Sequence, residues 1–200
     1  MGDKIVQNFG IAIAMCGALF VFGGQTFAIW TFAIEETIED DDSELKFTFG
    51  ANEFEIEYED DGDSESDDIA YDDDEECDCN DLEDFFGNLK LMFYALIGCG
   101  VAIAYFGNSG DLENLPAVAG ITAVLSVAIL AYTFTALPEA FEDETELFES
   151  LDEDPFFFVN TEDQRDGADI HLKAMPYVGF FLPVVSLTLG GLLVKPEWMS

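Results

Sequence analysis

Residues Glu35–Asp84 read EETIEDDDSELKFTFGANEFEIEYEDDGDSESDDIAYDDDEECDCNDLED, which is 26 carboxylates against a single base, Lys46. A charge-free apolar run lies on each side of this block. The formal net charge of the 200-residue chain is -37, yet half of its residues are hydrophobic. A disordered acidic chain is poor in apolar residues, so these two facts agree only if charge and apolar surface are segregated along the sequence.

The segregation is sharp. No Asp, Glu, Lys or Arg occurs in Ile5–Ile34, Leu91–Gly110, Asn114–Pro138 or Ala174–Val194, windows of 30, 20, 25 and 21 residues. A helix needs roughly 20 apolar residues to cross a bilayer core. The expected fold is therefore a mainly α integral membrane protein: four transmembrane helices with a small acidic ectodomain that contains a β-hairpin. The expected spans are 5–34, 88–107, 115–137 and 173–194. The acidic segments 35–87 and 138–172 connect them. The first window is about twice a signal-peptide core and lacks a clean small-residue cleavage site, so it is read as a retained helix.

Each segment carries local signals. Gly10, Ala14, Gly17 and Ala18 recur at three- and four-residue spacing, which suits close approach to another helix; Gly23-Gly24 predicts a bend. Leu45, Phe47 and Phe49 alternate with Lys46 and Thr48, and Phe54, Ile56 and Tyr58 alternate with Glu53, Glu55, Glu57 and Glu59. Period two on both sides of Gly50-Ala51-Asn52 predicts a hairpin over 44–58 with one apolar face. A lone hairpin is marginal in water, so Phe47, Phe49, Phe54, Ile56 and Tyr58 form a candidate contact surface, for Phe156–Val159 or for a partner. Asp60–Glu76 reads as loop. Asp81 is the expected cap of the second helix and Asp169 that of the fourth. Pro138 is expected to interrupt the third helix, and Pro183, inside the fourth, to kink it.

Two large acidic loops on one side and four spans place both termini together. Lys4 precedes the first span, and Asp and Glu count little in the positive-inside bias. The termini are therefore expected in the cytoplasm and the acidic loops outside, with Trp30, Tyr132 and Tyr177 at the outer interface. The outer segments hold 26 and 13 carboxylates, which must recruit cations. Bulk cations of a high-salt habitat are one answer and bound Ca²⁺, or another divalent ion, the other. Glu57–Asp68 resembles an EF-hand loop, with Glu57, Glu59, Asp61, Glu65 and Asp68 at ligand positions and Gly62 at the turn. It departs from that pattern by Glu at the first two ligand positions, Ser64 where an apolar residue belongs, and Asp68 at the end.

Cys77 and Cys79 lie on the expected outer side, where disulfides persist. Their bridge to each other closes a tight ring, and pairing with another chain is the alternative. His171, the one histidine, is expected at the surface just before the fourth helix. No nucleophile–His–Asp order, phosphate loop, H-E-x-x-H or haem motif occurs, so no enzyme activity is read. A surface this acidic repels phosphate and excludes nucleic acid. The four uncharged windows hold no Asp, Glu, Lys, Arg or His, which argues against an ion-coupled pump.

The layout is similar to the broad tetraspan plan of claudins and tetraspanins. Claudins carry Trp residues and a wider Cys pair in the first outer loop, which has no Trp at 35–87; tetraspanins carry C-C-G in the second, which has no Cys here. The likeness is one of layout alone. The expected role is a non-enzymatic structural or accessory subunit, in contact with lipid, cations, and further copies or other membrane subunits. An oligomeric cation channel with an acidic vestibule and a non-catalytic subunit of a membrane enzyme are the alternatives.

Overall fold

The computed structural model of the chain describes residues 2–38, 41–60, 63–71, 80–110, 112–142, 160–165 and 168–194. Among the described residues, four α-helices pack into a bundle: α1 (Gly2–Phe22), α2 (Asn80–Ser109), α3 (Leu115–Glu142) and α4 (Phe181–Val194). A six-stranded antiparallel sheet joins one end of it. The strands are β1 (Trp30–Ile38), β2 (Asp41–Phe49), β3 (Glu53–Asp60), β4 (Asp63–Ala70), β5 (Asn160–Arg165) and β6 (Ala168–Pro176). Their order across the sheet is β4-β3-β2-β1-β6-β5.

The first window divides differently from the expected 5–34 helix. α1 stops at Phe22. The Gly23 N–H donates to Leu19 O (2.9 Å), closing the last turn, and Gly24 takes a left-handed φ of 61°, which glycine adopts without a Cβ clash. After a 3-10 turn over Gly24–Phe27, the remainder of the uncharged window becomes β1. Absence of charge measures apolarity and not conformation; the aromatic and β-branched run Trp30–Ile34 suits a strand. The fourth window is divided in the same way. β6 takes the place of the first residues of the expected 173–194 helix, Pro176 ends the strand, and a 3-10 turn leads into α4. Pro183, expected inside the fourth helix, instead falls in the first turn of α4, where a missing N–H costs nothing. Asp169 lies inside β6, opposite Thr37 and Gln164, and caps no helix. Pro138 does not end α3, which continues to Glu142.

The β2–β3 hairpin turns at Gly50–Asn52, with Phe49 opposite Phe54, Phe47 opposite Ile56 and Leu45 opposite Tyr58, matching the period-two reading of 44–58. The Asp60–Glu76 stretch differs from the loop expected there: Asp63–Ala70 forms β4, registered along all of β3. Asp and Ser have poor strand propensity, but pairing with an existing edge, with Ile69 opposite Phe54, overrides it.

α1 and α2 approach closely at the small residues singled out on α1. A Cβ on Gly10 would come within 2.6 Å of Gly100 O, one on Gly100 within 2.7 Å of Gly10 O, and one on Gly17 within 2.8 Å of Phe93 O. Gly190 of α4 lies against Ala119 and Ala123 of α3. Buried hydroxyls in α3 return to their own helix: Thr122 to Val118 O, Ser126 to Thr122 O and Thr133 to Ile129 O, at 2.8–2.9 Å. The outward faces carry Met15, Leu91, Val101, Ile121, Val124 and Val185, all exposed. α1, α2 and α3 each contain a segment long and apolar enough to cross a membrane. α4 with its 3-10 turn forms a shorter apolar stretch, Val178–Val194.

Candidate functional site

The sheet has two chemically distinct faces, and the junction with the bundle explains which way round it sits. The Ile29 N–H donates to Phe49 O (2.9 Å), the Tyr177 N–H to Ile29 O (3.0 Å) and the Gly179 N–H to Ala28 O (2.7 Å). The Gln25 side-chain amide donates to Glu53 O (3.1 Å). The ends of β1, β2, β3 and β6 nearest the bundle are thereby tied to the end of α1.

On one face, directly opposed residues form the row Pro176–Trp30–Phe49–Phe54–Ile69, followed by Ala174–Phe32–Phe47–Ile56–Asp67 and then Leu172–Ile34–Leu45–Tyr58–Glu65. Apolar character fades away from the bundle. Burial follows: Phe49 and Phe54 are buried, Phe47 and Ile56 half-buried, and Tyr58 45% exposed. The cover at the buried end is a ladder of rings. Phe49 stacks on Phe54 (5.7 Å between centroids), Phe54 on Tyr71 (5.8 Å) and Tyr71 on Phe86 of α2 (4.7 Å). Phe86 meets Phe85 edge-on (4.9 Å), and Phe85 stacks on Tyr132 of α3 (5.2 Å). Such pairs contribute about 0.5–1.5 kcal/mol each beyond area burial. The Tyr71 hydroxyl donates to Gly50 O (3.1 Å), fixing the hairpin turn, and burial pushes the phenol well above its ordinary pKa. Two of the five expected contact residues, Phe49 and Phe54, are thus covered by this chain's own α2 extension. Phe156–Val159 lies outside the described residues.

The other face is polar. Its rows are Thr31–Thr48–Glu55–Asp68, then Ala33–Lys46–Glu57–Ser66, then Glu35–Glu44–Glu59–Ser64. Lys46 Nζ donates to Glu57 Oε2 at 2.7 Å, and this bond holds the ammonium above the usual lysine pKa. Both side chains are about a third exposed (34% and 38%), so the pair contributes about 0–1 kcal/mol. Elsewhere carboxylates oppose one another directly, as at Glu55–Asp68 and Glu44–Glu59. Cβ atoms of such pairs are about 4.5–5.5 Å apart, and like charges there destabilise.

The twelve residues read as a Ca²⁺ loop are instead two strands and the connection between them. Register places Glu57, Glu59 and Asp68 on the polar face and Glu65, opposite Tyr58, on the apolar face; the strands divide these ligands rather than curling them about a centre. Asp61 and Gly62 lie outside the described residues, as do Cys77 and Cys79. Among the described residues no group of three or more His, Cys, Asp or Glu side chains is placed to hold a metal ion. Cys16 and Cys99, both in helices, are free thiols. His171, expected just before a helix, lies within β6 between Glu35 and Glu162 in register.

A cleft of about 210 Å³ opens between α2 and α3, lined by Asp81, Asp84, Phe85, Asn88, Tyr132, Ala136 and Ala140. The Asn88 amide donates to Tyr132 Oη at 3.4 Å. Sequence reading missed this cleft and the ring ladder, because both depend on α3 crossing the start of α2. The Phe85-Phe86 pair was the visible signal. The chain matches no protein-family model and no curated protein sequence.

Proposed function

We propose that the chain is a non-enzymatic, four-span membrane protein that presents a hyperacidic, cation-attracting sheet as a structural or accessory subunit of a larger membrane assembly. α4 is the fourth span in this reading. The termini lie in the cytoplasm and the sheet outside, and screening cations, Ca²⁺ among them, accompany its polar face. The observation that carries the reading is the division of the surface between exposed apolar helix faces and an acidic sheet face. The bundle turns Leu91, Val101 and Val124 outward at 58–70% exposure, while the polar face of the sheet presents directly opposed carboxylates. A water-exposed bundle of that kind is an aggregation hazard, whereas lipid satisfies it.

A subunit role is favoured over a channel by the interior of the bundle. The buried hydroxyls of α3 are spent on their own helix, and buried Phe20, Phe93, Leu96 and Ile103 fill the space between helices. A conducting path through a single chain would need polar groups facing an open lumen. The half-covered distal face, at Phe47, Ile56 and Tyr58, is the surface offered to other subunits.

The test is the size of the particle extracted in mild detergent, measured by light scattering at low salt, at high salt and with Ca²⁺. An assembly of more than one chain that dissociates when cations are removed is expected. A monomer under every condition would contradict the subunit reading. Cation flux through liposomes holding the purified chain alone would replace it with the channel.

A further inference from the structure

The cleft between α2 and α3 has a chemical order along its length. Its three polar residues on α2, Asp81, Asp84 and Asn88, follow one another at spacings of three and four, so one stripe of the helix carries them all. At a rise of 1.5 Å per residue, Asp84 lies about 6 Å beyond Asn88 toward the start of the helix, and Asp81 about 10 Å. All three are exposed. The wall behind them is apolar: Phe85 and Ala140 are buried, and Tyr132 and Ala136 half-buried. Two carboxylates therefore stand at one end of the cleft, and an amide bonded to a phenol at the other.

These ends suit opposite charges. The Asn88 amide donates to Tyr132 Oη. A phenol that accepts one bond still has its own proton to give, and a side-chain amide has a second N–H. That end offers donors to an anion. Ionised carboxylates only accept, so the other end suits a cation. No Lys, Arg or His lines the cleft. A bare Ca²⁺ takes six to eight oxygens, and among the described residues no group of three or more acidic, His or Cys side chains is gathered for a metal. The volume of about 210 Å³ lies below that of pockets for drug-sized ligands. The matching occupant is small and organic, with a positive and a negative group about one helical turn apart.

We propose that the α2–α3 cleft binds a phosphate–ammonium headgroup, with the ammonium at Asp84 and Asp81 and the phosphate oxygens at Asn88 and Tyr132. The aromatic wall adds attraction for a methylated ammonium. Such a headgroup has two sources, a zwitterionic phospholipid and a free compound such as phosphocholine. The lipid source rests on the membrane reading of the proposed function. In that reading the uncharged window from Leu91 enters the hydrocarbon. Asn88 then lies about 4–5 Å outside it and Asp84 about 10 Å, while the headgroup layer is about 5–7 Å thick. A zwitterionic lipid carries its phosphate next to the acyl chains and its ammonium outermost, which is the order of the cleft.

The full chain, purified in detergent, is titrated with phosphocholine and with choline by calorimetry. Saturable binding of phosphocholine is expected, and its absence would overturn the proposal. Asp84→Asn, at an exposed position, should weaken both compounds about fivefold. Tyr132→Phe keeps the stack on Phe85 and should weaken phosphocholine alone. Ala136→Leu should fill the cleft and abolish both. Glu59→Gln removes the same charge from the polar face at the far end of the sheet and should change neither. Equal losses from Glu59→Gln and Asp84→Asn would overturn the proposal, since they would assign binding to the general field of the acidic chain. The source is read separately, by re-extracting the chain from vesicles of equal phosphatidylcholine and phosphatidylglycerol. Enrichment of phosphatidylcholine on the chain supports the lipid; phosphocholine binding without enrichment supports the free compound. The titration needs no bilayer, so a chain that is not a membrane subunit still binds phosphocholine, and a subunit with an inert cleft still forms its cation-dependent assembly.

Discussion

Tyr71 shows what a single side chain does here. It follows β4, stacks between Phe54 of the sheet and Phe86 of α2, and closes the hairpin turn through Gly50 O. Tyr71→Phe keeps the stack and deletes the hydrogen bond, leaving a buried carbonyl without its donor. A loss of about 1 kcal/mol at pH 8 is expected by denaturant unfolding. Burial raises the folded phenol's pKa well above 10, so the unfolded chain releases this proton first. The stability linked to Tyr71 is present below pH 10 and is lost as pH rises above it. The gap between wild type and Tyr71→Phe should therefore narrow above pH 10; a constant gap would mean that the phenol is not buried. Lys46, also held above its ordinary value by Glu57, loses its contribution in the same direction and is common to both proteins.

Among elements, the β3–β4 hairpin departs most from local expectation. The alternation of Phe, Ile and Tyr with Glu made β2 and β3 legible, since period two with a strong apolar half has one structural meaning. In β4 the same period is carried by Asp, Glu and Ser with Ile69 alone on the apolar side, and in a stretch of acids such a pattern is invisible without knowledge of the neighbour. The junctions at Trp30 and Pro176 were hidden for another reason. Hydropathy runs continuously through them, and only the strand partners Phe49 and Pro176, on either side of Trp30, distinguish strand from helix. The close face of α1 was readable from Gly10, Ala14 and Gly17 because close approach requires small residues wherever it occurs. The register of β4 is checkable chemically. In a chain whose native cysteines are replaced by serine, Glu55→Cys with Asp68→Cys should oxidise to an intramolecular disulfide, as directly opposed positions permit. Glu59→Cys with Asp68→Cys, on the same face but about 13 Å farther along the strand, should not. Equal cross-linking of the two pairs would return this segment to a loop.

At the scale of the whole molecule, composition and architecture express one physical fact. A chain of net charge -37 with half its residues hydrophobic folds by sending the two kinds of surface to opposite ends. The segregation was legible in the four uncharged windows. The depth of the boundary was not, since residues 30–34 of β1 and 174–176 of β6 are cut from those same windows. The ring ladder from Phe49 to Tyr132 joins the two ends, so the sheet and the bundle share one core.

In the proposed function the acidic sheet and the turn between α2 and α3 lie on opposite sides of a membrane. A cysteine introduced at Ser66, exposed on β4, or at Ser109, exposed at the end of α2, in the same cysteine-free chain, can be challenged on intact cells with a membrane-impermeant maleimide. With the sheet outside, Ser66→Cys is labelled at once and Ser109→Cys only after the membrane is opened. Labelling of both positions on intact cells, or of Ser109→Cys alone, would contradict that placement.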